Sequence, residues 1–182
     1  MPQQDSKFSN FFLDSIQRIR KNSRTILSVS QYSEQDDHQY VAITLLQSAL
    51  DTEILSVLRY IFISILPAAL RSQSLGAEFQ EQANDERRHM NLIAERIRSL
   101  GGKPNFNISP LDSQVVEFKD FENSFSEFAA QNLAAERCIT EHYHDLIEFF
   151  ARRDPVTCAI LEDIAKDEEN HIGDIEDILH SM

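Results

Sequence analysis

The chain has 182 residues, 42% of them hydrophobic, and a formal net charge of -13, which suits one domain with a sizeable core. The acidic balance argues against a nucleic-acid-binding surface over the whole molecule and suits a protein that handles cations. Four glycines and five prolines are too few for the frequent turns of a β-rich chain, so an all-α fold is expected.

Phe8, Phe12, Ile16, Ile19 and Ile26 recur at helical spacing and predict a short amphipathic helix over about residues 6 to 28. The start of the chain has no uninterrupted apolar segment followed by a small-residue cleavage site, so secretion is not expected. A second helix starts in "SEQDDHQY", with acids in its first turn where the macrodipole favours them, and runs to about Pro67. Its apolar run "YIFISILPAAL" is too short to span a bilayer, and no membrane association is expected. A third helix runs from about Leu75 to Leu100 and stops at "GGKP". A long connection over residues 101 to 118 precedes a fourth helix from about Asp120 to Arg152. "RRDP" breaks that helix, and Pro155 suits the first turn of a fifth that continues nearly to Met182. Residues 1–32 therefore read as an amphipathic extension, and 33–182 as a four-helix bundle whose connections run short, long, short.

The bundle carries a repeat. Glu53 is followed seven residues later by Tyr60, and 26 further on by Glu86-x-x-His89; Glu136 is followed seven later by Tyr143, and 25 further on by Glu168-x-x-His171. One Glu-x-x-His pair in an acidic helical chain arises by chance, but a matched pair within a repeat does not. Periodicity tests it independently. Leu161, Ile164, Glu168, His171, Ile175 and Ile178 form one stripe, while Glu169 falls outside with Glu162, Lys166 and Glu176. Phe79, Ala83, Glu86, His89, Ile93, Ile97 and Leu100 form another stripe, as do Leu46, Leu50, Glu53, Val57 and Tyr60, and Phe125, Ala129, Glu136, Ile139, Tyr143 and Phe150. Each helix of the bundle thus turns a carboxylate inward. A third pair, Glu141 and His144, shares its face with Glu127 and Glu148 and is rejected as a site. His38, His142 and His180 lack such partners and read as surface or boundary residues.

The heights agree as well. The midpoint of 136 and 168 falls at 152, beside the "RRDP" break, and that of 53 and 86 falls just past Pro67. The same register sets Cys158 roughly 12 Å along the bundle from Cys138. A disulfide between these two is therefore not expected, and reduced thiols imply a cytoplasmic setting. Four buried carboxylates would repel one another and take up protons unless cations joined them. Two divalent ions balance four carboxylates, with two neutral imidazoles completing the set. That oxygen-rich mixture suits iron or manganese better than a thiolate-seeking structural zinc. Tyr60 and Tyr143 are candidates for hydrogen bonding to a ligand carboxylate.

Together, Glu53, Glu86-x-x-His89, Glu136 and Glu168-x-x-His171 on such a bundle resemble the ferritin-like di-iron proteins. "DERRHMNLIAERIRSLGGKPN" and "DEENHIGDIEDIL" are similar to two bundle helices of bacterioferritin. The resemblance covers about residues 40 to 180. It implies two irons per subunit, bridged by Glu86 and Glu168, with Glu53 and His89 terminal on one and Glu136 and His171 on the other. It further implies a ferroxidase that oxidises Fe(II) with O2 or H2O2 for iron storage or detoxification. The expected assembly is a dimer-based homo-oligomeric shell of about 12 or 24 subunits. Arg87 occupies the place of bacterioferritin's haem-ligating methionine, which argues against haem. Bacterioferritin carries a short fifth helix beyond its bundle, whereas only eleven residues follow His171, so a Dps-like shell of twelve subunits is the alternative. A rubrerythrin-like peroxidase or a manganese catalase is a second enzymatic reading, weakened by the lack of Cys-x-x-Cys pairs. Lys7, Arg18, Arg20, Lys21 and Arg24 make the first helix a candidate DNA contact, although a packing or assembly role is favoured.

Overall fold

The structure is a computed structural model that describes residues 11–30, 38–65, 73–107 and 125–181. Among them are five helices: α1 Phe11–Ser30, α2 His38–Ser64, α3 Gln73–Ser99, α4 Phe125–Phe150 and α5 Pro155–His180. The expected helix starts near residues 6, 34 and 120, the stop at Pro67 and most of the long connection lie outside the described residues, as do Lys7 and Phe8.

Cross-helix contacts fix the directions. Gln39 at the start of α2 meets the Leu100 carbonyl beyond the end of α3, so those two helices are antiparallel. Arg137 on α4 meets Glu176 on α5 at 2.7 Å, and Cys158 on α5 lies against the Ile147 carbonyl on α4, so that pair is antiparallel too. Arg88 and Arg96 on α3 reach Asp167 and Asp154, while Ser48 and Arg59 on α2 reach His142 and Asn132. Every neighbouring pair among α2 to α5 is thus antiparallel, and α3 and α4 run the same way. The end of α3 and the start of α4 therefore lie at opposite ends of the bundle, the connectivity of a ferritin-like four-helix bundle with one long crossover.

Local chemistry sets the helix ends. Gly101 has φ 81, the left-handed conformation that glycine takes without a Cβ penalty. Its N–H donates to the Arg98 carbonyl, and the Gly102 N–H donates to the Ile97 carbonyl, both at 2.9 Å, closing α3 in a Schellman-type cap. A Cβ on Gly102 would stand 2.9 Å from Ile97 Cγ2 and 3.0 Å from Ile43 Cγ2, so the cap also needs glycine for the close approach to α2. At the start of α5, Asp154 accepts from the Thr157 N–H at 3.1 Å, with Pro155 in the first turn.

The inward stripes hold. Leu46, Leu50, Phe79, Ala83, Ile93, Ile97, Ala129, Ile139, Phe150, Leu161, Ile164 and Ile175 are all buried, whereas Val57, Leu100 and Ile178 lie partly exposed at the margin. α2 is long and apolar enough to cross a membrane by length and composition, yet 67% of its apolar window is buried inside the bundle. α1 buries Phe12, Ile16 and Ile19 in the same apolar cluster as α2 and α4, so its apolar face is a part of the core. One expectation needs correcting. His142 is 0% exposed, a buried residue and not a surface or boundary one, because α1 covers the face of α4 that an isolated bundle would leave open. His38 and His180 are exposed as expected.

Candidate metal centre

Six side chains expected from the repeat meet at mid-height. Glu53, Glu86, His89, Glu136 and Glu168 are at most 1% exposed and His171 is 3% exposed. They form two overlapping clusters, Glu53, Glu86, His89 and Glu168, and Glu86, Glu136, Glu168 and His171, each offering ligand atoms within 4.8 Å of one another. The i, i+3 spacing of Glu86 and His89, and of Glu168 and His171, puts both members of each pair on the buried face of a helix one turn apart.

The shared glutamates divide their oxygens. His89 Nδ1 lies 3.2 Å from Glu86 Oε2, 3.2 Å from Glu168 Oε1 and 3.4 Å from Glu53 Oε2. His171 Nδ1 lies 3.2 Å from Glu86 Oε1 and 3.5 Å from Glu168 Oε2. Each of these carboxylates therefore shows one oxygen to each cluster. The other two glutamates each give one oxygen away. The Tyr60 hydroxyl donates to Glu136 Oε1 and the Tyr143 hydroxyl to Glu53 Oε1, so the two tyrosines do bind the carboxylates, each reaching across to the other half of the repeat.

What remains is a set of acceptors without donors. Glu53 Oε2, Glu86 Oε1, Glu136 Oε2, both oxygens of Glu168 and His171 Nδ1 are buried with no hydrogen-bond partner. Orphaned lone pairs in a dry interior are costly. A divalent cation in each cluster would satisfy them, and its ligands would be carboxylate oxygens and one imidazole nitrogen. The residues present therefore fit two ions of the iron or manganese type.

The electrostatics describe the same conflict. Burial, then the charges of Glu86 and Glu168, push Glu53 well above the usual carboxylate range. Burial, then Glu168 and Glu86, do the same to Glu136. Burial would also lower the imidazoles, but the facing carboxylates of Glu168, Glu53 and Glu86 outweigh it at His89, and those of Glu168 and Glu86 raise His171 to about 12. Glu168 goes the other way: burial is opposed by both histidines, which hold it below its ordinary value. Without metal the cluster keeps itself together with protons.

Two acids were not anticipated as parts of the site. Asp167 Oδ2 lies 3.2 Å from His89 Nε2, and Asp85 Oδ2 lies 3.7 Å from His171 Nε2. Each precedes a shared glutamate and faces the histidine of the other helix, leaving that ring's Nδ1 for the cluster. The signal was in the sequence, since both halves of the repeat read Asp-Glu-x-x-His. A cavity of about 280 Å³ lined by Glu78, Glu81, Asp85, Asp167, His171 and Asp174 opens beside the cluster. The rejected pair stays apart: Glu141 binds Arg20 at the surface, and His144 is 3.5 Å from Glu169, both exposed. Cys138 and Cys158 are free thiols.

Comparison with known proteins agrees with this fold. The family model described as "Ferritin-like domain" matches residues 43–182. A solved structure of the bacterioferritin of Desulfovibrio desulfuricans, described as having a diiron site, superposes with a TM-score of 0.71 at 23% identity, over 81% of this chain and 83% of that one. A bacterioferritin-related protein from Bacteroides fragilis, described as a dodecameric thioferritin, is 32% identical over 79% of this chain and 86% of that one, with a TM-score of 0.64. No curated protein matches the sequence.

Proposed function

This chain belongs to the ferritin-like domain family and is similar to bacterioferritins, and from that premise we propose that it is a ferroxidase, oxidising Fe(II) at a two-metal centre within each subunit. The observation that carries the reading is the division of the Glu86 and Glu168 oxygens between two clusters, an arrangement that serves a pair of ions and has no use for one.

Glu86 and Glu168 bridge the two positions; Glu53 and His89 complete one, and Glu136 and His171 the other. Each Fe(II) gives up one electron, so a pair supplies the two that reduce O2 to peroxide, or H2O2 to water. The chain's own part is to hold the positions close together, to keep bulk water away from them, and to release from its carboxylates and imidazoles, as Fe(II) binds, protons of the kind that either reduction takes up, two for each pair of electrons. The acidic residues around the mouth beside His171 favour approach of a cation.

The dodecameric relative supports a shell of about 12 subunits, in which oxidised iron is stored or detoxified. A cytoplasmic setting fits the free thiols. The catalytic bundle is assigned to residues 33–182, and α1, which precedes it in the chain, packs into the same core. α1 serves packing, because Arg20 is engaged with Glu141 and Asp145 on α4.

The test is a Glu86→Ala, Glu168→Ala double variant. Rapid Fe(II) oxidation, followed by absorbance with O2 and with H2O2 supplied separately, should disappear while helical content by circular dichroism stays intact. Unchanged rates in that variant would defeat the assignment, and native mass spectrometry reads the subunit number.

A further inference from the structure

The two halves of the site share Asp-Glu-x-x-His and differ at both intervening positions, of which the second faces the opposite helix. Asp85-Glu86-Arg87-Arg88-His89 aligns with Asp167-Glu168-Glu169-Asn170-His171, so Arg88 on α3 corresponds to an uncharged Asn170 on α5. Arg88 Nη2 lies 2.6 Å from Asp167 Oδ2 and 3.4 Å from Asp85 Oδ1. The same Asp167 oxygen is 3.2 Å from His89 Nε2. A guanidinium thus pins the acid that orients His89. Across the site, Asp85 Oδ2 stands 3.7 Å from His171 Nε2, beyond hydrogen-bond reach; Arg88 touches Asp85 only at the longer distance and through its other oxygen, and the aligned Asn170 supplies no charge of its own. His171 is also the histidine that lines the acidic mouth, whereas His89 does not.

We propose that Arg88 is a positioning residue that makes the two metal positions unequal: through Asp167 it fixes the His89 ring, so the His89–Glu53 position holds its ion, and the His171–Glu136 position exchanges with solvent. This rests on the two-metal reading above.

Two effects of Arg88 oppose each other. Its positive charge disfavours a nearby cation, and its grip on Asp167 preorganises an imidazole ligand. The charge is half-exposed, with 50% of the side chain open to solvent, and it is in contact with two carboxylates, so its reach is screened and compensated. Orientation is not screened. Partners that orient a metal-ligating histidine change affinity by about 10- to 100-fold when removed. Positioning therefore outweighs repulsion.

The experiment separates the positions with single-ligand variants and uses Co(II) as the probe, read by its visible absorption and by calorimetry. His171→Ala leaves the His89 position, and His89→Ala leaves the His171 position. Adding Arg88→Gln should weaken Co(II) binding about 10- to 100-fold in the His171→Ala background and change it less than about threefold in the His89→Ala background. Arg88→Lys, which keeps the charge but reaches only one acid at a time, should restore part of the loss. Asp167→Asn should mimic Arg88→Gln and add little to it, since both act through one contact. Equal losses in both backgrounds, or no loss in either, would overturn the proposal. A parent protein that takes up fewer than two Co(II) per subunit would instead sink the two-metal reading, so the two failures are distinguishable.

Discussion

The Tyr60 hydroxyl on α2 donates to Oε1 of Glu136 on α4, and Tyr143 on α4 returns the arrangement by donating to Oε1 of Glu53 on α2. All four residues are at most 1% exposed, so no water replaces a lost hydroxyl. Each tyrosine occupies one carboxylate oxygen and thereby aims the other at a metal position. Tyr60→Phe should therefore weaken Co(II) binding at the His171 position, and Tyr143→Phe at the His89 position, each by about 10- to 100-fold. The expected signature is loss at one position per variant with an unchanged far-ultraviolet spectrum. Native affinity in both variants would show that the glutamates do not need the hydroxyls.

The metal-free site holds protons that the unfolded chain does not. Glu53 and Glu136 are raised, chiefly by burial and then by neighbouring carboxylates. Burial lowers His89 and His171, but the carboxylates that face them outweigh it and raise both. A group whose folded value lies above its unfolded one contributes a pH slope of one sign: the native state binds more protons in that window, so stability falls as pH rises. The window opens at 4.5 for the glutamates and 6.5 for the histidines. Glu168 works the other way, but its window lies below 4.5 and leaves the neutral range untouched. Urea midpoints of the metal-free protein should thus decline from pH 6.5 to pH 9. Metal loading displaces the same protons, so Mn(II) added at pH 7 should release protons to an indicator dye and raise the midpoint most at the alkaline end. A flat metal-free profile with no proton release would contradict this electrostatic picture.

The fold and the convergence of the six buried glutamates and histidines were legible because each signal was periodic and appeared twice. Glu168 could be chosen over Glu169 since only the former shares a stripe with Leu161 and Ile164; the structure leaves the former 0% exposed and the latter's side chain 58% exposed. Contacts between helices were much less readable. Asp85 and Asp167 sit beside the stripe, and their use depends on how α3 faces α5, which no single-helix pattern states. His142 was misjudged for the same reason: its burial is imposed by α1, an element outside the repeat. The direction in which Tyr60 and Tyr143 cross between halves likewise follows from packing α2 on α4 and not from their spacing.

His142 gives an acid-sensitive contribution that can be separated from the metal centre. It is 0% exposed, its Nε2 lies 3.1 Å from Ser48 Oγ, and its Nδ1 has no partner. Burial is the main cause that lowers it from 6.5 to about 4, with Asp145 opposing and Arg20 assisting. The unfolded chain then binds more protons between those values, so stability is lost as pH falls through the window. At 1.36 kcal/mol per pKa unit the full effect is about 3 kcal/mol, reached near pH 4. His142→Gln can keep a contact to Ser48 without titrating. Its urea midpoint should change less between pH 7 and pH 4.5 than that of the parent. Parallel profiles for the two proteins would assign the acid sensitivity elsewhere.

α1 offers the last test, because two kinds of contact hold it and their weights differ. Ile16 is 0% exposed and Phe12 is 1% exposed, both in the apolar cluster that also contains Leu45, Leu146 and Phe150. Phe12 lies under the buried Arg59 guanidinium, 5.5 Å from ring centroid to Cζ, and Arg59 Nε donates to Asn132 Oδ1 at 3.2 Å, one residue along the chain from Tyr60. The polar side is shallower: Arg20 meets Asp145 at 2.8 Å and the largely exposed Glu141. Large-to-small changes in a packed core cost about 2 to 5 kcal/mol, and partly exposed ion pairs contribute about 0 to 1 kcal/mol. Ile16→Ala should therefore lower the urea midpoint several times more than Arg20→Ala. Since α1 shares one core with the bundle, circular dichroism and tyrosine fluorescence should report a single coincident transition in each variant. An early, separate transition that spares the bundle would show instead that α1 is held mainly by its charges and docks as an appendage.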